Sequence, residues 1–186
     1  MEAGTILALL RHGNQLKRTA RTGWVQRGVA NAEDVAAHSF GVTFTALILV
    51  EWIERPLNLE RILMMATLHD LPEALTTDIP SPVWRELLPK GVKSDVERGA
   101  MNKILGDAPL APALMDAWEE LHANETDEAK LVHDADKLDM YLQALIYEQQ
   151  TGNRRLAEFW EPPHACYFAE AQQIYDLLRQ QRNRDA

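Results

Sequence analysis

Residues 62–78 read Ile62-Leu-Met-Met-Ala-Thr-Leu-His69-Asp70-Leu-Pro-Glu73-Ala-Leu-Thr-Thr-Asp78. The apolar run 62–68 has the make-up of a helix entering a core. It delivers His69, Asp70, Glu73 and Asp78 where a core would prefer no ionisable group. Adjacent His and Asp at the mouth of a buried helix can both reach one divalent cation, and the later carboxylates follow closely enough to act on whatever that cation holds. The dipeptide alone is a weak signal. With 6 His and 12 Asp in 186 residues, chance supplies about 0.4 such pairs, and His133-Asp134 is a second.

Outward from this stretch, apolar residues recur at spacings of three and four in nearly every segment, and sustained alternation at period two is absent. The chain therefore reads as all-α and as a single domain over 1–186. The pattern predicts helices over about 3–16, 33–54, 58–71, 82–88, 94–105, 110–123, 127–150 and 164–182. Asn31 and Asn58 are candidate caps, Ser81 precedes Pro82 at a first helical position, and Ser94-Asp-Val-Glu97 has the form of a capping box. Gly106 and Gly152 are expected stops. The Pro-containing stretches 78–82 and 161–163 interrupt helices but are too short to link domains.

Composition bounds the function. Apolar residues make up 46% and charged residues 25%, an ordinary globular balance. A net charge of −9 lacks the basic stripe that would neutralise a long nucleic acid, though one Arg and one metal can still hold a small phosphorylated ligand. Cys166 is the only cysteine, so no intrachain disulfide and no thiolate metal cluster is available, as suits a reducing cytoplasm. The uncharged stretch 40–50 falls short of the ~20 residues of a membrane span and reads as a buried helix. No signal peptide is expected, and the default is a cytoplasmic protein with no membrane partner.

A hydrolytic metal site needs imidazole or carboxylate ligands. His38, in Val35-Ala-Ala-His-Ser-Phe40, sits among small and apolar neighbours; alone it reads as a core or interface residue, but with His69 and Asp70 it makes three ligands from two helices. A fourth can come from 128–140. At ~100° per residue, Asp139 falls inside the apolar face of that helix and Asp136 on its shoulder, and periodicity does not choose between them. Lys137 or Lys130 is the simple ion-pair partner for such an acid. Glu73 and Asp78 are candidates for proton transfer or water activation; their structural alternatives are a first-turn acid and a turn residue before Ile79-Pro80. The segment 18–28 is cationic and glycine-punctuated, a solvated loop or one that carries guanidinium groups to an anion. Arg11-His12-Gly13 imitates a histidine-phosphatase signature, but that α/β fold needs strands this pattern does not offer.

Taken together, the motifs resemble the HD-domain superfamily of metal-dependent phosphohydrolases, and within it the 5′-deoxynucleotidases of the YfbR and HDDC2 type. The resemblance covers about 16–160. It rests on Leu16-Lys-Arg-x-x-Arg-Thr-Gly-Trp-Val-x-Arg27, Val35-x-x-His38, His69-Asp70-x-x-Glu73, Asp78-Ile-Pro-Ser-Pro82, Asp136 and 140–148.

The resemblance implies an all-α HD-domain fold in which His38, His69, Asp70 and Asp136 bind one divalent metal, with Mn, Co and Mg all suited. It implies Glu73 and Asp78 as catalytic carboxylates and Arg21 as the arginine that orients the phosphate, with Arg27 an alternative. Trp24 is implied for the sugar pocket. Asp70, Asp78, Ile79, Pro80 and Ser81 are implied as substrate contacts. The expected activity is hydrolysis of deoxyribonucleoside 5′-monophosphates. Alternatives are an HD-type triphosphohydrolase, a phosphatase of another small molecule, or a non-catalytic nucleotide-binding protein. A homodimer is implied as well, with 110–123 and 164–182 offering apolar faces that otherwise close the core.

Overall fold

A computed structural model describes residues 2–185. The helical period resolves there into α1 (Ala3–Gln15), α2 (Thr22–Gln26), α3 (Val35–Trp52), α4 (Leu59–Leu68), α5 (Glu73–Thr76), α6 (Val92–Leu105), α7 (Ala111–Ala123), α8 (Asp127–Thr151) and α9 (Ala169–Asp185). Among the described residues the extended pairing amounts to one isolated antiparallel bridge between Ala20 and Asp34. The all-α expectation holds, and His12 lies on α1 rather than on a strand.

The long α8 is the axis of the molecule and packs along α3, α4, α7 and α9. Its buried stripe, with Leu131, Ala135, Leu138, Tyr141 and Leu145, meets Ile62 and Met65 of α4, Trp118 of α7 and Tyr175 of α9 in one core. The expected helix 58–71 is shorter than its sequence pattern. Pro72 has no N–H to give the carbonyl of Leu68, so the helix stops there. The Leu71 N–H then bonds Leu68 O at 3.0 Å, and the chain restarts as the single turn of α5.

Several local expectations change. Asp34, not Asn31, caps α3 by accepting from the Ala37 N–H at 2.8 Å, while Asn58 caps α4 as its sequence suggests. Pro82 enters the next turn without a cap from Ser81, and that turn, Val83–Leu87, is a π-helical one. The capping box at 94–97 does not form, because Gly91 at φ +91° lets α6 begin at Val92. Glu97 is buried instead and pairs with Lys93 at 3.2 Å. Gly106 and Gly152 end their helices with positive φ, as expected. The last helix begins at Ala169 rather than 164. The stretch 18–28, which reads as a loop, contains α2, and a 3₁₀ turn, Arg154–Trp160, lies outside the expected helices.

The expectation of a buried helix at 40–50 is corrected. One face of α3 is buried through Val35, His38, Val42, Ala46 and Leu49, but Phe40 is 72% exposed and Phe44 and Ile48 more than half. Apolar all round, α3 has the length and hydropathy of a membrane span, yet it lies between α4 and α8 and carries a buried histidine inward.

Candidate metal and phosphate site

The end of α4, the first turn of α3 and the middle of α8 meet at one point. His38 from α3 is 1% exposed, and its ring centroid is 5.3 Å from that of His69. Asp70 Oδ2 lies 3.3 Å from His69 Nε2 and 3.7 Å from His38 Nε2, and Asp136 Oδ1 lies 3.3 Å from His38 Nε2. Ligands held about 2.1 Å from a shared tetrahedral cation are themselves roughly 3.4 Å apart, so these separations fit one metal ion.

The hydrogen bonds point the same way. His69 Nδ1–H donates to Ala66 O at 2.8 Å, and His38 Nδ1 meets Asp139 Oδ2 at 2.8 Å. Both Nε2 atoms are buried with no hydrogen-bond partner. An imidazole held through Nδ1 with a bare, buried Nε2 is the arrangement metal-ligating histidines adopt. His38, His69 and Asp136 therefore form a candidate site for a divalent metal, with Asp70 beside them. Asp136 lies on the Nε2 side of His38, with His69, and Asp139 lies on its Nδ1 side.

The charged groups of the cluster set one another's protonation. Burial and Arg21 work against a proton on His38, but the adjacent carboxylates of Asp136 and Asp139 outweigh them, raising its pKa to about 9. Burial disfavours ionised Asp136, yet Lys137, at 2.8 Å, and His38 hold it well below the usual carboxylate range. Lys137 is thus the simple partner anticipated for Asp136, whereas Lys130 turns to Glu125 and Asp127.

A cavity of about 390 Å³ opens beside the cluster, lined by Arg21, Asp70, Glu73, Asp78 and Asp136 among others. Arg21, at the entry to α2, reaches Asp70 at 3.0 Å. Glu73 is carried in by α5, and its Oε2 is buried without a partner. Burial, then the charges of Asp70 and Asp78, push its pKa up to about 10. Thr77 ends α5 at φ +62°, a strained angle for a β-branched residue, and turns the chain back toward α2. Asp78 there accepts from the Thr22 N–H at 2.7 Å.

Ile79, Pro80 and Ser81 also line the cavity. Trp24 does too, but it is only 2% exposed. Its Nε1–H donates to Glu33 at 2.9 Å and its ring packs on Phe159 and Tyr147, so it forms a floor rather than a free stacking face. Arg27 is committed to Glu158 at 2.9 Å and lies over the Phe159 ring, at the rim rather than at the cluster. The sequence reading missed Trp84, Arg85, Lys93 and Phe159 in the lining. Their only advance signal is the aromatic and basic content of segments bounded by proline.

The second His-Asp dipeptide serves architecture. Asp134 is fully buried and accepts the N–H groups of Tyr167 and Phe168, each at 2.9 Å, while His133 Nε2 bonds Leu121 O at 3.0 Å.

Comparison with known proteins bears on the family and the fold. The HD domain family matches residues 13–163. The 5′-deoxynucleotidase HDDC2 of Mus musculus is 34% identical over 182 residues, covering 96% of this chain and 88% of that protein. The protein of the same name from Homo sapiens is 35% identical over 162 residues, covering 86% and 76%. A conserved hypothetical protein from Pyrococcus furiosus superposes with a TM-score of 0.80 at 33% identity, covering 94% of this chain and 99% of that one. By sequence, the chain belongs to the HD-domain family and, within it, to the family of the 5′-deoxynucleotidases HDDC2.

Proposed function

We propose that the protein is a metal-dependent phosphomonoesterase that hydrolyses deoxyribonucleoside 5′-monophosphates to deoxynucleoside and phosphate. The observation that carries this reading is the pair of bare, buried Nε2 atoms of His38 and His69 converging with Asp70 and Asp136 beside a cavity lined by Arg21 and Glu73. The choice of a deoxynucleotide rests on the relatives' names. A divalent cation held by His38, His69, Asp70 and Asp136 would supply Lewis acidity toward a phosphate oxygen and toward water, and Mn²⁺, Co²⁺ and Mg²⁺ all suit these N and O donors.

The chain's own residues divide the remaining work. Arg21 orients the phosphate through its planar fork. Glu73 holds a proton in the buried site and hands it to the departing 5′-oxygen, while Asp78, steadied by Thr22, positions the attacking water. Trp24 floors the sugar pocket, and Ile79, Pro80 and Ser81 contact the nucleoside.

Arg85 adds cationic lining beside Arg27, Lys93 and Lys137, which are paired with Glu158, Glu97 and Asp136, and a ligand that drew these cations from their partners would favour a second reading in which a nucleoside triphosphate is the substrate. Metal-supplemented phosphate release from ribo- and deoxyribonucleoside mono- and triphosphates tests both. Release from dAMP, dGMP and TMP is expected; preference for triphosphates would favour the second reading, and no turnover with any metal would overturn both.

A homodimeric, cytoplasmic enzyme completes the proposal. The apolar faces of α7 and α9 are spent largely on the core. Ile6, Leu7 and Leu10 of α1 and Phe40, Phe44 and Ile48 of α3 remain exposed and are the better candidates for a contact between copies. Light scattering that returns a monomer at micromolar concentration would overturn the dimer.

A further inference from the structure

Two acids one helical turn apart on α8 hold the same imidazole from opposite ends. Asp136 Oδ1 lies 3.3 Å from His38 Nε2, on the cavity side, and Asp139 Oδ2 lies 2.8 Å from His38 Nδ1, behind the ring. Asp136 lines the cavity, whereas Asp139 is not among its lining residues. Glu33 also approaches the back of the ring, but its Oε1 is already taken by Trp24 Nε1–H at 2.9 Å.

The contact depends on a glycine. A Cβ built at Gly41, one turn along α3 from His38, would lie 2.0 Å from Asp139 Oδ1 and 2.7 Å from its Cγ. No real contact is that short, so a side chain at position 41 must displace the Asp139 carboxylate. The obstacle is the end of a side chain rather than backbone, so such a change breaks the hydrogen bond before it breaks the fold.

We propose that Asp139 is a positioning residue for His38. It holds the ring with the proton on Nδ1 and the Nε2 lone pair facing the metal site, and position 41 is glycine because the Asp139 carboxylate fills the space a Cβ would need. A neutral imidazole carries its single proton on either nitrogen. Without an acceptor behind Nδ1, part of the population presents a proton to the cation and the ring is free to turn. The inference rests on the reading of His38 as a metal ligand, and it adds to that reading a residue that touches neither metal nor substrate.

Calorimetric titration of metal-stripped protein with Mn²⁺, alongside thermal melting without metal, tests it. Asp139→Ala should weaken Mn²⁺ binding about 10–100-fold. Asp139→Asn, whose amide oxygen can still accept from Nδ1–H, should recover part of that loss. Gly41→Ala should weaken binding comparably in the wild-type background and cost nothing further in the Asp139→Ala background, because both changes remove one contact. If Asp139→Ala fails to fold, the isosteric Asp139→Asn and Gly41→Ala carry the comparison.

Binding by Asp139→Ala within about twofold of wild type would overturn the positioning role. Additive losses from Gly41→Ala and Asp139→Ala would overturn the link between them. Wild-type protein that takes up no Mn²⁺ would instead overturn the metal-site reading itself, and the positioning role with it.

Discussion

Arg21 Nη1 lies 3.0 Å from Asp70 Oδ2, the oxygen that also faces His69 Nε2 and His38 Nε2. One carboxylate oxygen is thus claimed from two sides, by a guanidinium and by the point where a cation fits. Burial alone would raise the pKa of Asp70, but His69, Arg21 and His38 together hold it below the usual carboxylate range. The pair neutralises a buried acid in the metal-free protein and leaves the guanidinium at the cavity wall, where a phosphate can take it over.

Arg21→Ala should therefore separate substrate handling from metal binding. Turnover of a deoxynucleoside monophosphate is expected to fall about 10²–10³-fold, the size typical of losing one preorganised charge donor. Mn²⁺ affinity should hold or tighten, because a competitor for Asp70 is gone. Arg21→Lys should not restore the rate, since an ammonium lacks the fork. A variant that loses metal with its activity would show that Arg21 serves the ligand cluster instead.

Glu73→Gln tests the proton inventory. The amide keeps the volume of the side chain but has no transferable proton, so turnover should drop about 10²–10⁴-fold while calorimetry still finds the metal. Wild-type rates in this variant would remove Glu73 from the chemistry and leave it a buried acid of α5.

The helical class, the Asn58 cap and the ends at Gly106 and Gly152 were legible because each rests on local chemistry, whereas the grouping of His38 and Asp136 with His69-Asp70 was expected from the family resemblance alone. The stop at Leu68 was equally local, written in the missing N–H of Pro72, but the strength of the apolar period concealed it. Asp136 and Asp139 could not be told apart, because both border the apolar face of α8 and only the crossing of α3 assigns each to a different nitrogen of His38. Trp84 and Phe159 come from a π turn and a 3₁₀ turn, whose spacing has no sustained period to read. The exposed face of α3 stayed hidden for the opposite reason: a helix apolar all round gives no hint of which side is left out.

Metal should bind in competition with protons. In the metal-free fold the His38 pKa stands at about 9, above the ordinary 6.5. The stability this group contributes is fully present below about pH 6.5 and is lost as pH rises through about 9. A cation needs the neutral imidazole, so between these limits apparent affinity should climb by up to about tenfold per pH unit. Mn²⁺ at a hundred times its Kd should add about 2.7 kcal/mol, or roughly 5–10 °C in Tm for a chain of this size. The Tm gain at fixed Mn²⁺ should be larger at pH 8.5 than at pH 7, and a chelator should abolish it. A gain that shrinks with rising pH would contradict the role of His38.

The two His-Asp dipeptides make the sharpest contrast, because they share residue types and differ only in what the acid faces. Asp134 satisfies two buried N–H groups, those of Tyr167 and Phe168, where the chain turns into α9. Asp134→Ala orphans both, and at about 1–3 kcal/mol for each unsatisfied donor the fold should lose roughly 2–6 kcal/mol. For a chain of this size that lowers Tm by about 10 °C, while metal affinity and turnover measured well below Tm stay near wild type. Asp70→Ala should do the reverse. It leaves the Arg21 guanidinium without its carboxylate but also relieves the repulsion that raises the Glu73 pKa, so these two effects on stability oppose each other and the metal-free protein should lose less Tm than Asp134→Ala does, while Mn²⁺ binding and phosphate release collapse. Melting curves and titrations on the two variants side by side decide the matter. Equal effects on both readouts would mean that the sequence motif, rather than its setting, determines what a His-Asp pair does in this fold.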